Sequence, residues 1–318
     1  MVKCDAMLRN FASKLIRRLL ASEFNAVRED VDVTKLLVAR LLIGQMKARG
    51  DINSLRDVEF KVYSQFGDDG IIQYLIHRLA IPSECASFIE FGIQEYKESN
   101  TRFLLGNDNW RGLVLDGDPA NIGIVSRSTE YWRHDLMAVA AFIDRDNVND
   151  LFTDNGFSGE IGLLSIDIDG NDYWVWERIS VVNPRIVVVE YNSVFGPDFA
   201  VSIPYQPDFK RTVAHHSNLY WGASLKALAL LGAKKGYALV GSNSAGNNAY
   251  FVRRDCLSGL PELSVAEAYV ESRFRESRDA GGQLTYLSGT QRIAEIRTMP
   301  LHSFEHNKVM AISELYGV

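Results

Sequence analysis

The chain has 318 residues, 47% hydrophobic and 23% charged, with a formal net charge of -6 at pH 7. These values fit one large α/β domain with additions, or two modest domains, of ordinary globular composition. The negative balance disfavours binding to a phosphate backbone as the main task, so no nucleic-acid partner is expected, while a small anionic ligand stays open. Cys4, Cys85 and Cys256 lie far apart with no CxxC spacing, which argues against a zinc ribbon or a disulfide framework and for a reducing cytoplasm. No run of about 18 apolar residues occurs, so no transmembrane helix is expected.

Residues 1–58 read as a helical N-terminal extension. Phe11, Leu15, Ile16, Leu19 and Leu20 would line one helical face, suited to packing on the domain or a partner subunit, or to resting on a membrane surface. KVYSQFGDDGIIQYLIHRLA (61–80) opens a helix capped by Asp68 or Asp69. SFIEFG (87–92) reads as a strand, and a helix follows over about 98–107. GLVLDGD (112–118) is a strand ending in acids. EYWRHDL (130–136) reads as a short strand, and MAVAAFIDRDNVNDLF (137–152) as a helix. GLLSIDID (162–169) is a strand, YWVWERIS (173–180) a helix, and RIVVVEYN (185–192) a strand bounded by Pro184. After a long loop, 224–236 is a helix ending at Gly236, and 237–254 a hairpin around a Gly/Asn-rich turn. Residues 257–318 read as a helical, polar C-terminal extension.

Strands alternating with helices over 59–256 imply a mostly parallel sheet covered on both faces. Five such units followed by a terminal hairpin resemble the Rossmann-like class I S-adenosylmethionine (SAM)-dependent methyltransferase fold, an α/β sheet of seven strands in which one hairpin strand runs antiparallel. Ligands of such sheets bind beyond the carboxyl ends of the strands.

Those ends carry the candidate site. Glu90 and Gly92 form an acid-x-glycine, the glycine for close backbone approach and the acid for a cationic, amine-bearing cofactor end. The GxGxxG of a dinucleotide site is missing. Asp116 in Asp116-Gly117-Asp118 is favoured to accept from both ribose hydroxyls, while Asp118 before Pro119 suits a helix cap. Asp135 is read as an acceptor for an adenine amine or as an N-cap. Asp167 and Asp169, two apart, would share one face of a strand, and Glu190 and Asn192 would end the neighbouring strand. Together these four offer oxygen ligands for Mg2+ or another divalent ion; helix capping and direct binding of substrate hydroxyls are the alternatives. Asp169, His215 and His216 are the candidate catalytic groups, a histidine being a natural general base.

YSQFGDDGII (63–72), FIEFG, SNTRFLL (99–105), LLSIDIDGNDYWVW (163–176), VVVEYNS (187–193) and residues 221–253 resemble the FkbM-type methyltransferases over roughly 60–255. The resemblance implies SAM as cofactor, with Gln65, Asp69 and Asn100 beside its methionine end. More loosely, it implies O-methylation of a hydroxyl on a sugar, nucleotide-linked sugar or surface-glycan precursor; the acids of the fourth and fifth strands separately resemble those of metal-dependent O-methyltransferases, which implies assistance by a divalent metal. A nicotinamide-dependent sugar oxidoreductase and a non-catalytic binding protein of the same fold are the rival readings. The helical ends offer a surface for homo-oligomer formation.

Overall fold

The structure, a computed structural model, describes residue 27, residues 30–49 and residues 52–318. The chain divides into two units, Met1–Arg49 and Gly50–Val318. Within the first, residues 30–49 form a helix, α1; the apolar face read for residues 11–20 lies outside the described residues. Among the described residues no helix is long and apolar enough to cross a membrane.

The second unit opens with α2 (Asp68–Leu79) and then alternates. Its order is β1 (Ser87–Phe91), α3 (Arg102–Asp108), β2 (Arg111–Asp116), α4 (Pro119–Val125), α5 (Thr129–Arg133), β3 (Leu136–Ala140), α6 (Val148–Asp154), β4 (Gly159–Ile166), α7 (Asp172–Arg178) and β5 (Val182–Glu190). There follow β6 (Val201–Ser202), α8 (Arg211–Ala214), α9 (Leu225–Lys234) and the hairpin of β7 (Tyr237–Ser242) and β8 (Asn248–Arg253). The C-terminal segment holds α10 (Val265–Ala268), α11 (Thr290–Glu295), β9 (Pro300–Ser303), β10 (Lys308–Ala311) and α12 (Ile312–Tyr316).

Seven strands pair in the order β3-β2-β1-β4-β5-β8-β7. β1 to β5 are mutually parallel, and β8 runs antiparallel to both its neighbours. This is the sheet of the Rossmann-like class I methyltransferase fold. Its central strands read as unbroken apolar runs because helices cover both faces: Leu163, Leu164, Ile186, Val187 and Val189 are all completely buried. Each such side chain removed from water contributes on the order of 2 kcal/mol to stability.

Three sequence expectations are corrected. The third strand is Leu136–Ala140 rather than 130–136, which instead begins as α5. Met and Ala are good helix formers, but pairing with β2, from Gly112 opposite Leu136 to Asp116 opposite Ala140, overrides that preference. This strand is the sheet edge, so its side chains are only partly buried and the two-residue period is faint. Second, β4 ends at Ile166 and Asp169 adopts a left-handed backbone (φ +54°). Strand alternation therefore does not put Asp167 and Asp169 on one face. Third, the C-terminal extension is not simply helical. β9 and β10 form a hairpin that joins β6 in a three-stranded sheet, and Leu301 and Ile312 pack there with Phe195 and Trp221.

Candidate active site

The strand order reverses between β1 and β4: the chain leaves β1 outward to β2 and β3, then returns to β4 on the other side. Such a switch point opens a crevice at the carboxyl ends of the strands. Here the two strand ends almost touch. Gly92, just after β1, has φ +82°, and a Cβ on it would lie 1.5 Å from the Asp167 carbonyl oxygen. Two cavities of about 440 and 190 Å³ meet at this point and share Gly92, Gln94 and Asp167. Their volumes suit a small molecule bound across the switch.

Gln65, Glu90, Asn100, Asp167 and Asn248 line the larger cavity. Glu90 is buried and its oxygens are both engaged. It accepts from Ser99 Oγ (2.5 Å), Asn100 N (2.9 Å), Thr101 N (3.1 Å) and Thr101 Oγ1 (2.5 Å). Burial pushes its pKa up and these four donors oppose that. Glu90 thus builds the loop before α3 and presents charge, rather than a spare oxygen, to the cavity. Asn100 Nδ2 donates to Ser165 Oγ at 3.1 Å. Asp69 lies in the first turn of α2, whose N-cap is Gly67 and not an aspartate. Its Oδ2 accepts from the backbone N of Val62, Tyr63 and Ser64 at 2.7–2.9 Å, folding the YSQF loop over the cavity rather than facing a ligand. Asn248, which sequence reading missed, donates through Nδ2 to Asp68 Oδ1 (3.0 Å), while its buried Oδ1 has no protein donor. An unanswered acceptor on the cavity wall wants a donor from the ligand. Its Gly/Asn-rich turn was the only sequence signal.

The smaller cavity is lined by Asp116, Gly117, Phe142, Ile168 and Asp169, among others. Asp116 Oδ2 accepts from Gln94 N at 2.7 Å, and Oδ1 from Asp118 N (2.8 Å) and Asn121 Nδ2 (3.0 Å). Asp118 caps α4, accepting from Ala120 N at 2.8 Å ahead of Pro119. Asp135 is at the opposite end of the sheet: it precedes β3, is exposed, and pairs with Arg111 Nε at 3.6 Å. Since β3 starts where it was expected to finish, the residues beyond its carboxyl end are Ala141, Phe142 and Ile143, all on the cavity wall.

The acids after β4 and β5 do not form a metal site. Asn192 is spent: Nδ2 donates to the carbonyls of Leu219 and Trp221, both at 2.9 Å, and Oδ1 accepts from Val194 N at 3.0 Å. Asp169 is half-exposed and bonded at 2.8 Å to Nη1 of Arg211, a residue with no distinguishing sequence context. Glu190 Oε2 is buried without a hydrogen-bond partner among the described residues. Burial first, then repulsion from neighbouring acids, pushes the Asp167 and Glu190 carboxyls well up. Among the described residues no three His, Cys, Asp or Glu side chains converge as metal ligands. The donor set does not fit a divalent ion, and no step below runs through one.

Asp172 bonds inward, accepting from Ile168 N (2.9 Å) and Gly170 N (3.0 Å) at the start of α7. Burial pushes its pKa up to about 6. A carboxyl raised in the folded state is fully tolerated below its unfolded pKa and destabilises as pH rises through the folded value. The stability difference between Asp172→Asn and wild type should therefore move in the variant's favour by on the order of 3 kcal/mol between pH 4 and 7. Urea unfolding of both across that range measures it; a flat difference would mean Asp172 ionises freely.

His215 and His216 line neither cavity. Their rings stack on each other at 4.2 Å, His215 Nδ1 meets Ser217 Oγ at 2.8 Å, and exposed His216 pairs with Glu295 at 3.1 Å. Both rings are held by contacts within this loop and with Glu295.

No family model matches the sequence, and no curated protein does. Among solved structures the chain is similar to the N-terminal domain of EvdMO1 with SAH bound (TM-score 0.38, 11% identity, covering 67% of this chain and 94% of that one). It is similar also to the O-methyltransferase from Bacillus cereus in complex with SAH (TM-score 0.38, 11% identity, 69% and 89% covered). A third is the CurJ carbon methyltransferase (TM-score 0.39, 9% identity, 60% and 56% covered). Likenesses this faint carry no part of the functional reading.

Proposed function

We propose that this protein is a SAM-dependent O-methyltransferase acting on a hydroxyl of a sugar, nucleotide-linked sugar or similar glycan precursor. The observation that carries the reading is the divided cleft at the β1/β4 switch, acidic at one end and flanked by Asp116 at the other, on a sheet with this strand order. SAM supplies, when bound, a methyl group made electrophilic by its positive sulfur.

The chain's own residues are suited to that partner. Asn248 offers an undonated oxygen to an ammonium group, and the Glu90 and Asp167 carboxyls line the same cavity. Asp116 Oδ2 holds one protein hydrogen bond and can accept another from a ribose hydroxyl. Phe142, 47% exposed on the wall of the smaller cavity, offers a face for a purine ring. The acceptor end lies past Asp169 and Arg211, where the guanidinium sits 4.9 Å over the Trp221 ring. Holding the acceptor hydroxyl in line supplies the rate gain of proximity.

Calorimetric titration with SAM, with NADH as control, tests the reading. One site for SAM per chain is expected, weakened about 10–100-fold in Asp116→Ala, the cost of one or two charged hydrogen bonds. Binding of NADH instead of SAM would replace methyl transfer by redox chemistry.

A further inference from the structure

We propose that the cation answering the acids at the acceptor end of this cleft is Arg211, which bonds Asp169 on the cavity wall without lining the cavity itself, rather than a bound divalent ion. Calling this end the acceptor's rests on the methyl-transfer reading; the counter-ion assignment stands on the contacts alone.

Arg211 opens α8, and its side chain is 17% exposed. Each nitrogen of the fork faces a protein oxygen, two of them within hydrogen-bond distance. Nη1 donates to Asp169 Oδ1 at 2.8 Å, Nε donates to the Asn218 carbonyl at 2.8 Å, and Nη2 lies 3.7 Å from Glu276 Oε2. The face lies over Trp221. Glu190 adds its field from the end of β5. One planar cation thus answers acids from three parts of the chain: the turn after β4, the end of β5 and the segment after α10. A hard divalent ion needs six or more oxygens aimed at one point. The Asp169 and Glu276 oxygens face the guanidinium, and the one neutral donor, Asn192, is turned away to hold residues 219–221. Arginine also keeps its charge at any working pH, so the acids are balanced with or without metal in solution.

A guanidinium orients an acceptor by hydrogen bonding and charge and does not ligate its oxygen. Turnover should therefore be indifferent to chelators. The decisive test does not need turnover. Mn2+ is titrated into the full chain, and the free-ion signal is followed by electron paramagnetic resonance. Wild type is expected to show no stoichiometric site. Arg211→Gln, which keeps a donor but removes the charge, leaves Asp169 and Glu190 unbalanced and should bind Mn2+ about tenfold or more tighter than wild type, while Arg211→Lys should not. One Mn2+ per wild-type chain that is lost in Asp169→Asn would overturn the proposal, as would equal affinities in wild type and Arg211→Gln, or equal gains in the Gln and Lys variants. Should Arg211→Gln not fold, the wild-type and Asp169→Asn titrations decide alone. SAM calorimetry on the same wild-type sample judges the methyl-transfer reading separately, because its failure leaves the Mn2+ result standing.

Discussion

Gly92→Ala is expected to cost about 3–5 kcal/mol of folding stability and to abolish ligand binding in the cleft. Two penalties add. A non-glycine residue at φ +82° is strained by itself, and the new methyl would sit 1.5 Å from the Asp167 carbonyl oxygen and 2.7 Å from its carbon. Neither atom is a movable side-chain end; both belong to the backbone that leaves β4. Relief requires the ends of β1 and β4 to separate, and they are hydrogen-bonded neighbours up to Phe91 opposite Ile166. Gly106 in α3 is the control, since a Cβ there meets nothing within 4 Å. Gly106→Ala should leave stability unchanged or raise it by about 0.5–1 kcal/mol. Urea denaturation of the two variants separates the cases, and near-equal midpoints would mean the strand ends do not approach as described.

The second large effect falls on Glu90. Glu90→Ala strands two hydroxyls and two backbone N–H groups in a buried loop and should destabilise by about 3–5 kcal/mol. Glu90→Gln keeps one acceptor oxygen and the volume, so a smaller loss is expected. The change should appear locally as well. Amide hydrogen exchange at Asn100 and Thr101 should accelerate strongly in the alanine variant, because their N–H groups donate to Glu90 and to nothing in the sheet. Unchanged protection at both amides would show that the helix holds the loop without the carboxylate. If loop order is the main role, ligand binding falls because the cavity wall melts, and the glutamine variant restores much of it.

These two residues divide differently between sequence and structure. Gly92 reads as letting the backbone approach a cofactor, with a plain loop glycine as the alternative; the approach the structure shows is to the Asp167 carbonyl. Glu90 was picked out for the right place and a different task, since spacing to Ser99, Asn100 and Thr101 carries no sign that the loop folds back. Asp135 was misplaced because the edge strand following it lacks the alternation that marks a half-buried strand. His215 and His216 drew attention as titratable groups, and only their packing reveals that they bond to Ser217, Glu295 and each other.

By itself the sequence determined the sheet. Apolar runs at β1, β2, β4 and β5, broken by amphipathic stretches and closed by a hairpin, permit little else, because burial on both faces and short crossovers act locally along the chain. It also determined that carboxylates gather at the strand ends. What those carboxylates do was decided only in three dimensions. Arg211 lies 42 residues from Asp169 and Glu276 lies further still, and Asn248 faces the cleft because β8 pairs antiparallel with β5. A charge is answered by whatever stands within a few ångströms, and the Coulomb and hydrogen-bond terms that settle its role fall off with distance in space, with no trace in spacing along the chain.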